Sequence, residues 1–200
     1  MSAPRPFVLA SASPARLEVL RRAGLDPKVV VSGVDEDGVD AGSPAATAQE
    51  LARRKAASVA AGQEPGTLVL GCDSVLELDG QTLGKPHDAA DAVQRWHAMR
   101  GRTGVLHTGH RLLIAGGSRS AEGTASTVVH FADVDDDEVA AYVATGEPLR
   151  VAGAFTVDGL GGPFVDGIEG DHHNVVGLSL PLLRRLLAQL DVRITDLWTR

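Results

Sequence analysis

Two hydroxyl groups and a guanidinium lie close together in the sequence, just after the first apolar run of the chain. Ser11 closes the β-prone segment 6–11, and Ser13 and Arg16 follow where a helical pattern begins. At such a strand-to-helix junction, unpaired backbone N–H groups and the positive end of the helix dipole attract anions. These residue types therefore suit a phosphate group. A simpler interpretation is that Ser13 only caps the helix and Arg16 lies in solvent.

Two acidic positions follow other β-prone segments. Glu36 is the centre of the acidic loop 35–37, and Asp73 comes after the apolar run 67–71, which fits a central strand buried on both faces. A carboxylate at the end of such a strand lies where open α/β sheets bind their ligands. The bland alternatives are a solvated acidic loop and an aspartate that caps the following turn.

Lysine is rare in this chain, since only Lys28, Lys55 and Lys85 occur among 19 basic residues. Lys55 lies beside the apolar stripe of a predicted helix, so its ammonium either faces a ligand or extends along apolar surface to reach water. Lys85 stands between Gly84 and Pro86, in a tight segment that would hold it in place. We interpret both lysines as candidate cations for an anionic ligand.

The elements that would position these residues alternate between strands and helices. Helices are predicted to begin at Ser-Pro pairs or at aspartates, which are good N-terminal caps. The predicted helix starts are Ser13, Ser43, Asp88 and Asp135, and the predicted strands are 6–11, 28–32, 67–71, 75–78, 81–83, 103–115 and 125–131. This alternation predicts a mixed α/β sheet with flanking helices, arranged in two lobes.

Composition and charge exclude several classes of protein. The chain is 44% hydrophobic and 22% charged, which is typical of globular proteins and not of disordered or fibrous ones. A net charge of −7 disfavours a surface for duplex nucleic acid, and the single Cys72 cannot form an internal disulfide or a multi-thiolate metal site. No apolar stretch approaches the roughly 20 residues of a membrane span, so we expect a cytoplasmic protein with no membrane partner.

Taken together, these motifs resemble those of the Maf-type nucleoside triphosphate pyrophosphatases, also called the septum formation inhibitor Maf family. The resemblance runs over nearly the whole chain, and its motifs occur in the family's order. The matching segments are LASASPARLEVL (9–20), VDED (34–37), LARRKA (51–56), GCDSVLELDGQTLGKP (71–86), YVATGEP (142–148), AGAF (152–155) and NVVGLSLPLL (174–183).

The resemblance implies an enzyme that hydrolyses nucleoside triphosphates, including non-standard or modified ones, to the monophosphate and pyrophosphate in nucleotide housekeeping. It implies one Maf-like domain over residues 1–200, of the Maf and ITPase-like type, with a cleft between two lobes, and it leaves a homodimer open. A divalent cation, Mg²⁺ or Mn²⁺, is implied as cofactor, with Glu36 and Asp73 as its ligands. Asp73 is then the catalytic residue, and the implied substrate-binding residues are Ser11, Ser13, Arg16, Glu36, Lys55, Lys85 and Asp158.

Three positions depart from the family pattern. Ala15 stands where the first of two arginines is usual, Val151 stands where a lysine often occurs, and Asp158 replaces a glutamine or glutamate. Arg150, one residue before Val151, is a candidate replacement cation. Two alternatives follow: a nucleotide-binding regulator of cell division with little or no catalysis, and a phosphatase that releases orthophosphate.

Overall fold

The computed structural model describes residues 5–199 of the chain, and these residues form one mixed β-sheet with helices on both of its faces. The strands are β1 Phe7–Ala10, β2 Lys28–Val29, β3 Leu68–Leu78, β4 Gln81–Leu83, β5 Thr103–Ile114, β6 Ser120–Phe131 and β7 Val165–Glu169. The helices are α1 Pro14–Arg22, α2 Pro44–Ala60, α3 Ala89–Met99, α4 Asp136–Ala144, α5 His172–Val176 and α6 Leu180–Gln189. Short 3₁₀ turns span Pro148–Arg150, Ala152–Ala154, Gly162–Phe164 and Ile194–Leu197.

The strand order is β2-β1-β3-β5-β6-β7, with β4 also paired to β3. β1 runs parallel to β2 and β3, and the other pairs are antiparallel. The predicted α/β class with a mixed sheet and flanking helices is therefore confirmed. The predicted helix starts are confirmed as well, because Ser13, Ser43, Asp88 and Asp135 each accept a hydrogen bond from a backbone N–H of the first helical turn.

β3 differs from the prediction in a way that matters for the site. The sequence predicted two separate strands, 67–71 and 75–78, but they form one continuous strand, β3, from Leu68 to Leu78. Its first half pairs with β1 as far as Gly71, and its second half pairs with β4 from Leu76 onward. Asp73 therefore lies in the interior of a long strand, beside the point where the neighbouring strand β1 ends. Residues 72–74, which join the two predicted strands, pair with β5, and such non-local pairing is not visible in local propensity.

Two other strand bounds differ from the prediction. β6 begins at Ser120 and not at Ala125, because its small and polar residues keep the hairpin register with β5, from Leu113 opposite Ser120 onward. β2 is only Lys28–Val29 and does not reach Ser32. It is an edge strand with a single, four-residue partner, so little hydrogen bonding extends it.

Helix α2 packs unusually close to the middle of the sheet. Its buried face is rich in alanine, and two glycines of the sheet, Gly71 and Gly109, lie under it. A Cβ atom on Gly71 would collide with Ala52 and Ala56, and one on Gly109 would collide with Ala48. The missing side chains bring the helix backbone near the strands, and α2 presents Lys55 directly to β3.

Two apolar cores flank the middle of the sheet, which agrees with the predicted arrangement in two lobes. The first core packs α1 and α6 against β1 and the first half of β3. The second is built around Trp96, whose ring makes edge-to-face contacts with Phe131, Tyr142 and Phe164 at centroid distances of 5.6 to 5.9 Å. Among residues 5–199, no helix has the length and apolar character needed to cross a membrane.

His110 is a buried polar residue that connects the sheet to α6. Its side chain is fully buried, Nδ1 lies 3.0 Å from the carbonyl oxygen of Thr108, and Nε2 accepts the backbone N–H of Ser179 at 2.9 Å. Only the neutral ring with the proton on Nδ1 satisfies both contacts. Burial lowers the pKa of His110 to about 4, with the charge of Arg16 acting in the same direction.

We expect this histidine to make the fold acid-sensitive. In the unfolded chain the imidazole has its usual pKa of about 6.5, so between pH 6.5 and 4 the unfolded state binds more protons than the folded state. The free energy of unfolding should therefore fall by about 3 kcal/mol as the pH drops through this window. Denaturant titrations of wild type and His110→Gln at several pH values measure the effect. Equal pH slopes for the two proteins would contradict it.

Candidate active site

A cleft of about 930 Å³ lies beside β3, at the point where β1 ends. Val176, which packs against the first core, and Leu106 and Phe155 of the second core all line it. The structure brings all of the residues that were predicted to form the site into this cleft: Ser11, Ser13, Arg16, Glu36, Lys55, Asp73, Lys85 and Asp158.

The centre of the cleft is a lysine held between two carboxylates. Nζ of Lys55 lies 2.5 Å from Oδ1 of Asp73 and 2.6 Å from Oε1 of Glu36. Lys55 is only 6% exposed and Asp73 only 5%, whereas Glu36 comes from the acidic loop and stays partly open to solvent. The alternative in which Lys55 extends along the surface to water is thus wrong. An ammonium buried here needs a carboxylate partner, because an unpaired buried charge costs several kcal/mol.

The two carboxylates respond to this environment in opposite directions. Burial raises the pKa of Asp73, against the opposing effect of the Lys55 and Arg16 charges. Burial also acts to raise the pKa of Glu36, but the hydrogen bond from Lys55 and the nearby cations outweigh it and hold that pKa below its usual value. Asp73 is accordingly a stronger proton acceptor than an ordinary exposed aspartate.

Arg16 closes one side of the cleft, at the N-terminus of α1. Its guanidinium donates to the carbonyl oxygen of Gly177 at 2.8 Å, to Oγ of Ser11 at 3.0 Å and to Oγ of Ser74 at 2.9 Å. The side chain is buried, so the alternative of a solvated arginine is wrong. Ser13 does cap the helix, since its Oγ accepts the Arg16 N–H at 3.4 Å. Three contacts leave further guanidinium N–H groups for a ligand.

The opposite side of the cleft carries Lys85, and Arg95 fixes the backbone around it. Arg95 donates to the carbonyl oxygens of Gly84 at 2.6 Å and Lys85 at 3.3 Å, and Asp91 holds its guanidinium at 2.8 and 2.9 Å. The Gly84 carbonyl also accepts the N–H of Gly153 at 2.9 Å. Arg95 was not predicted as a site residue, although its position four residues after Asp91 on one helix face was an available signal.

The positions that depart from the family pattern also lie in the cleft. Ala15 lines it on the α1 side, and Arg150, Val151 and Asp158 line it on the opposite side. Arg150 and Asp158 are both exposed. The departures therefore concern the site itself and not a remote surface.

The donor set fits a divalent metal cation. Among the hydrogen bonds and ion pairs of residues 5–199, Lys55 occupies one oxygen of Asp73 and one of Glu36, and the second oxygen of each carboxylate has no protein partner. Mg²⁺ is commonly held by one or two carboxylates together with phosphate oxygens of the substrate and water. Asp73 and Glu36 could supply those two carboxylates.

Comparisons with known proteins identify the family of this chain. A family model described as Maf-like protein matches residues 6–190. A protein from Streptomyces coelicolor is 63% identical over 97% of this chain and 95% of its own length, and one from Salinispora tropica is 62% identical over 100% and 90%. A third, from Synechococcus elongatus, is 52% identical over 99% of each chain. All three bear the name nucleoside triphosphate pyrophosphatase, and together with the family model they show that this chain belongs to the Maf-like protein family.

Proposed function

We propose that this protein hydrolyses nucleoside triphosphates to nucleoside monophosphates and pyrophosphate. The observation that carries the proposal is the buried Lys55, which holds the Asp73 carboxylate at the floor of a cleft with cations on both sides. A triphosphate needs positive charge along its length, and a hydrolase needs a positioned carboxylate beside the bond that breaks. The names of the relatives, which share half or more of the sequence, support the same reaction.

In the proposed mechanism, Asp73 orients a water molecule and accepts its proton. The water oxygen forms a bond to the α-phosphorus, and the bond from that phosphorus to the oxygen bridging to the β-phosphorus breaks. Pyrophosphate leaves with the bonding electron pair, and Lys85 and Arg16 stabilise the charge that develops on it. Lys55 keeps the Asp73 carboxylate in place by the 2.5 Å contact. The hydroxyl of Ser11 and the N-terminus of α1 would bind the phosphate oxygens.

We further propose that Glu36 and Asp73 hold Mg²⁺ or Mn²⁺ when substrate binds. The cation would supply neutralisation of charge on the phosphate oxygens. We place the activity in the cytoplasm, acting on the nucleotide pool as housekeeping. One sheet runs through the described chain from β1 to β7, which supports a single domain over residues 1–200.

The first test concerns Asp73. Asp73→Asn keeps the shape of the side chain but removes the proton acceptor, so we expect kcat to fall by about 100-fold or more while nucleotide binding persists. Glu77→Gln is the matched control, because it removes one negative charge from the same strand outside the cleft. Pyrophosphate and orthophosphate are quantified separately, without added pyrophosphatase.

The products of wild type separate the alternatives. Orthophosphate as the first product would identify a phosphatase, and binding without product would identify a regulator with little or no catalysis. The absence of cations at Ala15 and Val151 is the feature that favours the regulator with little or no catalysis. A turnover within a few-fold of wild type for Asp73→Asn would remove Asp73 from its proposed role.

The second test concerns the metal. A chelator should abolish pyrophosphate release, and added Mg²⁺ or Mn²⁺ should restore it, because carboxylate and phosphate oxygens prefer hard cations. Glu36→Gln should raise the metal concentration needed for half-maximal activity by about 10-fold or more, because losing even a group that only supports a ligand costs about 10- to 100-fold in affinity and Glu36 is a proposed ligand itself. Asp37→Asn, the next acidic residue in the same loop, should leave that concentration unchanged. Full activity in chelator would refute the metal proposal.

The third test concerns the base. A carboxylate only accepts hydrogen bonds, so Asp158 should favour bases that present donors, namely guanine, 7-methylguanine and cytosine, over thymine and uracil. Asp158 is exposed, which lets water partly hydrate a mismatched carboxylate, so we expect a preference of about 5- to 10-fold. Values of kcat/KM for the five triphosphates measure it, with Asp158→Gln shifting the preference toward thymine and uracil. A wild-type preference for thymidine triphosphate would contradict the role of Asp158.

A further inference from the structure

The segment from Phe155 to Gly161 brings two polar side chains, Thr156 and Asp158, to the cleft. It contains no helix or strand, only bends and a turn, between the 3₁₀ turns Ala152–Ala154 and Gly162–Phe164. We call residues 155–161 the rim loop. Backbone pairing within a sheet or helix does not fix its position, so the contacts of its side chains and N–H groups must do so.

The buried ring of Phe155 holds one end of the loop in the second core, and a single carboxylate, that of Glu147, accepts hydrogen bonds from the rest of it. Its Oε1 accepts the hydroxyl of Thr156 at 2.5 Å and the N–H of Gly161 at 3.1 Å, and its Oε2 accepts the N–H of Leu160 at 3.1 Å. The hydroxyl of Tyr142 donates to the same Oε1 at 3.0 Å. Glu147 therefore binds both ends of the loop portion that carries Asp158.

The chemistry of these contacts requires a carboxylate. One backbone N–H faces each oxygen of Glu147, through Leu160 and Gly161, and a backbone N–H can only donate. A glutamine at this position would turn its NH₂ group toward one of these N–H groups in either orientation. An amide of nearly the same shape would thus leave one donor of the rim loop facing another donor.

The rim loop is shaped around the same carboxylate. A Cβ atom on Gly159 would lie 2.7 Å from Oε2 of Glu147, and one on Gly161 would collide with the Tyr142 hydroxyl. Both glycines therefore permit the close approach. Tyr142 itself is anchored in the second core, where its ring packs edge-to-face on Trp96 and Phe164 at centroid distances of 5.6 and 5.3 Å.

From these contacts we infer that Glu147 is a positioning residue for nucleobase recognition. It fixes the rim loop to the aromatic core, so that Thr156 and Asp158 face the base while the triphosphate binds to other residues. This inference rests on the proposed function, since it assigns the base to the rim-loop side of the cleft. Loss of Glu147 should then reduce discrimination between bases and leave recognition of the phosphates intact.

The experiment uses binding, so that it does not depend on turnover. Dissociation constants are measured for α,β-methylene analogues of the guanosine, cytidine, uridine and thymidine triphosphates and for inorganic tripolyphosphate, which carries no base. Glu147→Gln should weaken the preferred analogue by about 10-fold, as expected for a misplaced contact group, and should change tripolyphosphate binding by less than about 2-fold. Glu138→Gln in α4, the helix that precedes Glu147, is the matched control, because glutamine retains the capping box with Asp135.

A second variant approaches the same contact from the loop. Gly159→Ala pushes the loop away from Glu147 and should reproduce the loss of base discrimination with unchanged tripolyphosphate binding. Thermal unfolding of each variant shows whether it is folded. Equal weakening of tripolyphosphate and nucleotides would mean a purely structural role, and unchanged discrimination in both variants, or a wild type that binds all bases equally, would overturn the inference. Failure of the proposed function is a different result, since it appears as absence of pyrophosphate release by wild type.

Discussion

The ion pair between Lys55 and Asp73 is the constraint on which the site depends. Both side chains are buried. Removing Lys55 would leave the Asp73 carboxylate without its ion-pair partner away from water, and removing the Asp73 carboxylate would leave Lys55 paired only with the more exposed Glu36. The pair can form only if α2 lies close to β3, and Gly71 and Gly109 provide that closeness by having no side chain under the helix. The alanine-rich face of α2 meets the same requirement from the other side. The charge arrangement in the cleft therefore depends on the close packing of α2 on the middle of the sheet.

The two sides of the cleft are held by different kinds of interaction. On the α1 side, regular secondary structure places the groups, because β1 ends at Ala10 and α1 begins at Pro14. On the other side, charged side chains fix irregular backbone by hydrogen bonds. Arg95 donates to the carbonyl groups of Gly84 and Lys85, and Glu147 accepts N–H groups of the rim loop. The cleft is lined by five Lys or Arg side chains and four Asp or Glu side chains, so its lining has a small excess of positive charge in a protein with a net charge of −7, which favours an anionic ligand there and not over the whole surface.

Whether a feature could be predicted from the sequence depends on how far apart its interacting residues lie along the chain. Helix starts such as Ser43 were predictable, because a cap and its first turn are neighbours in sequence. The joining of the predicted strands 67–71 and 75–78 into one strand was not, since residues 72–74 pair with β5, which lies far along the chain. The sequence allowed two interpretations of Lys55, in which its ammonium either faces a ligand or extends to water. Only the position of Asp73 on β3, opposite Lys55 on α2, decides between them. Glu147 lies in a segment that matches the family, but its role was not predicted, because its partners include backbone N–H groups of the rim loop, which contains no helix or strand.

The positions that depart from the family pattern lie on both sides of the cleft, and their consequences differ between the two sides. Ala15 lies beside Arg16, whose guanidinium is already fixed by three contacts, so the geometry on the α1 side does not depend on a second arginine there. Val151 and Asp158 lie on the side where Arg95 and Glu147 fix irregular backbone. A side chain there can change without altering β3, α2 or the Lys55–Asp73 pair. A fold that keeps Lys55 and Asp73 on a helix and a strand, and its variable contacts on an irregular loop held by hydrogen bonds, can change substrate choice while preserving the reaction.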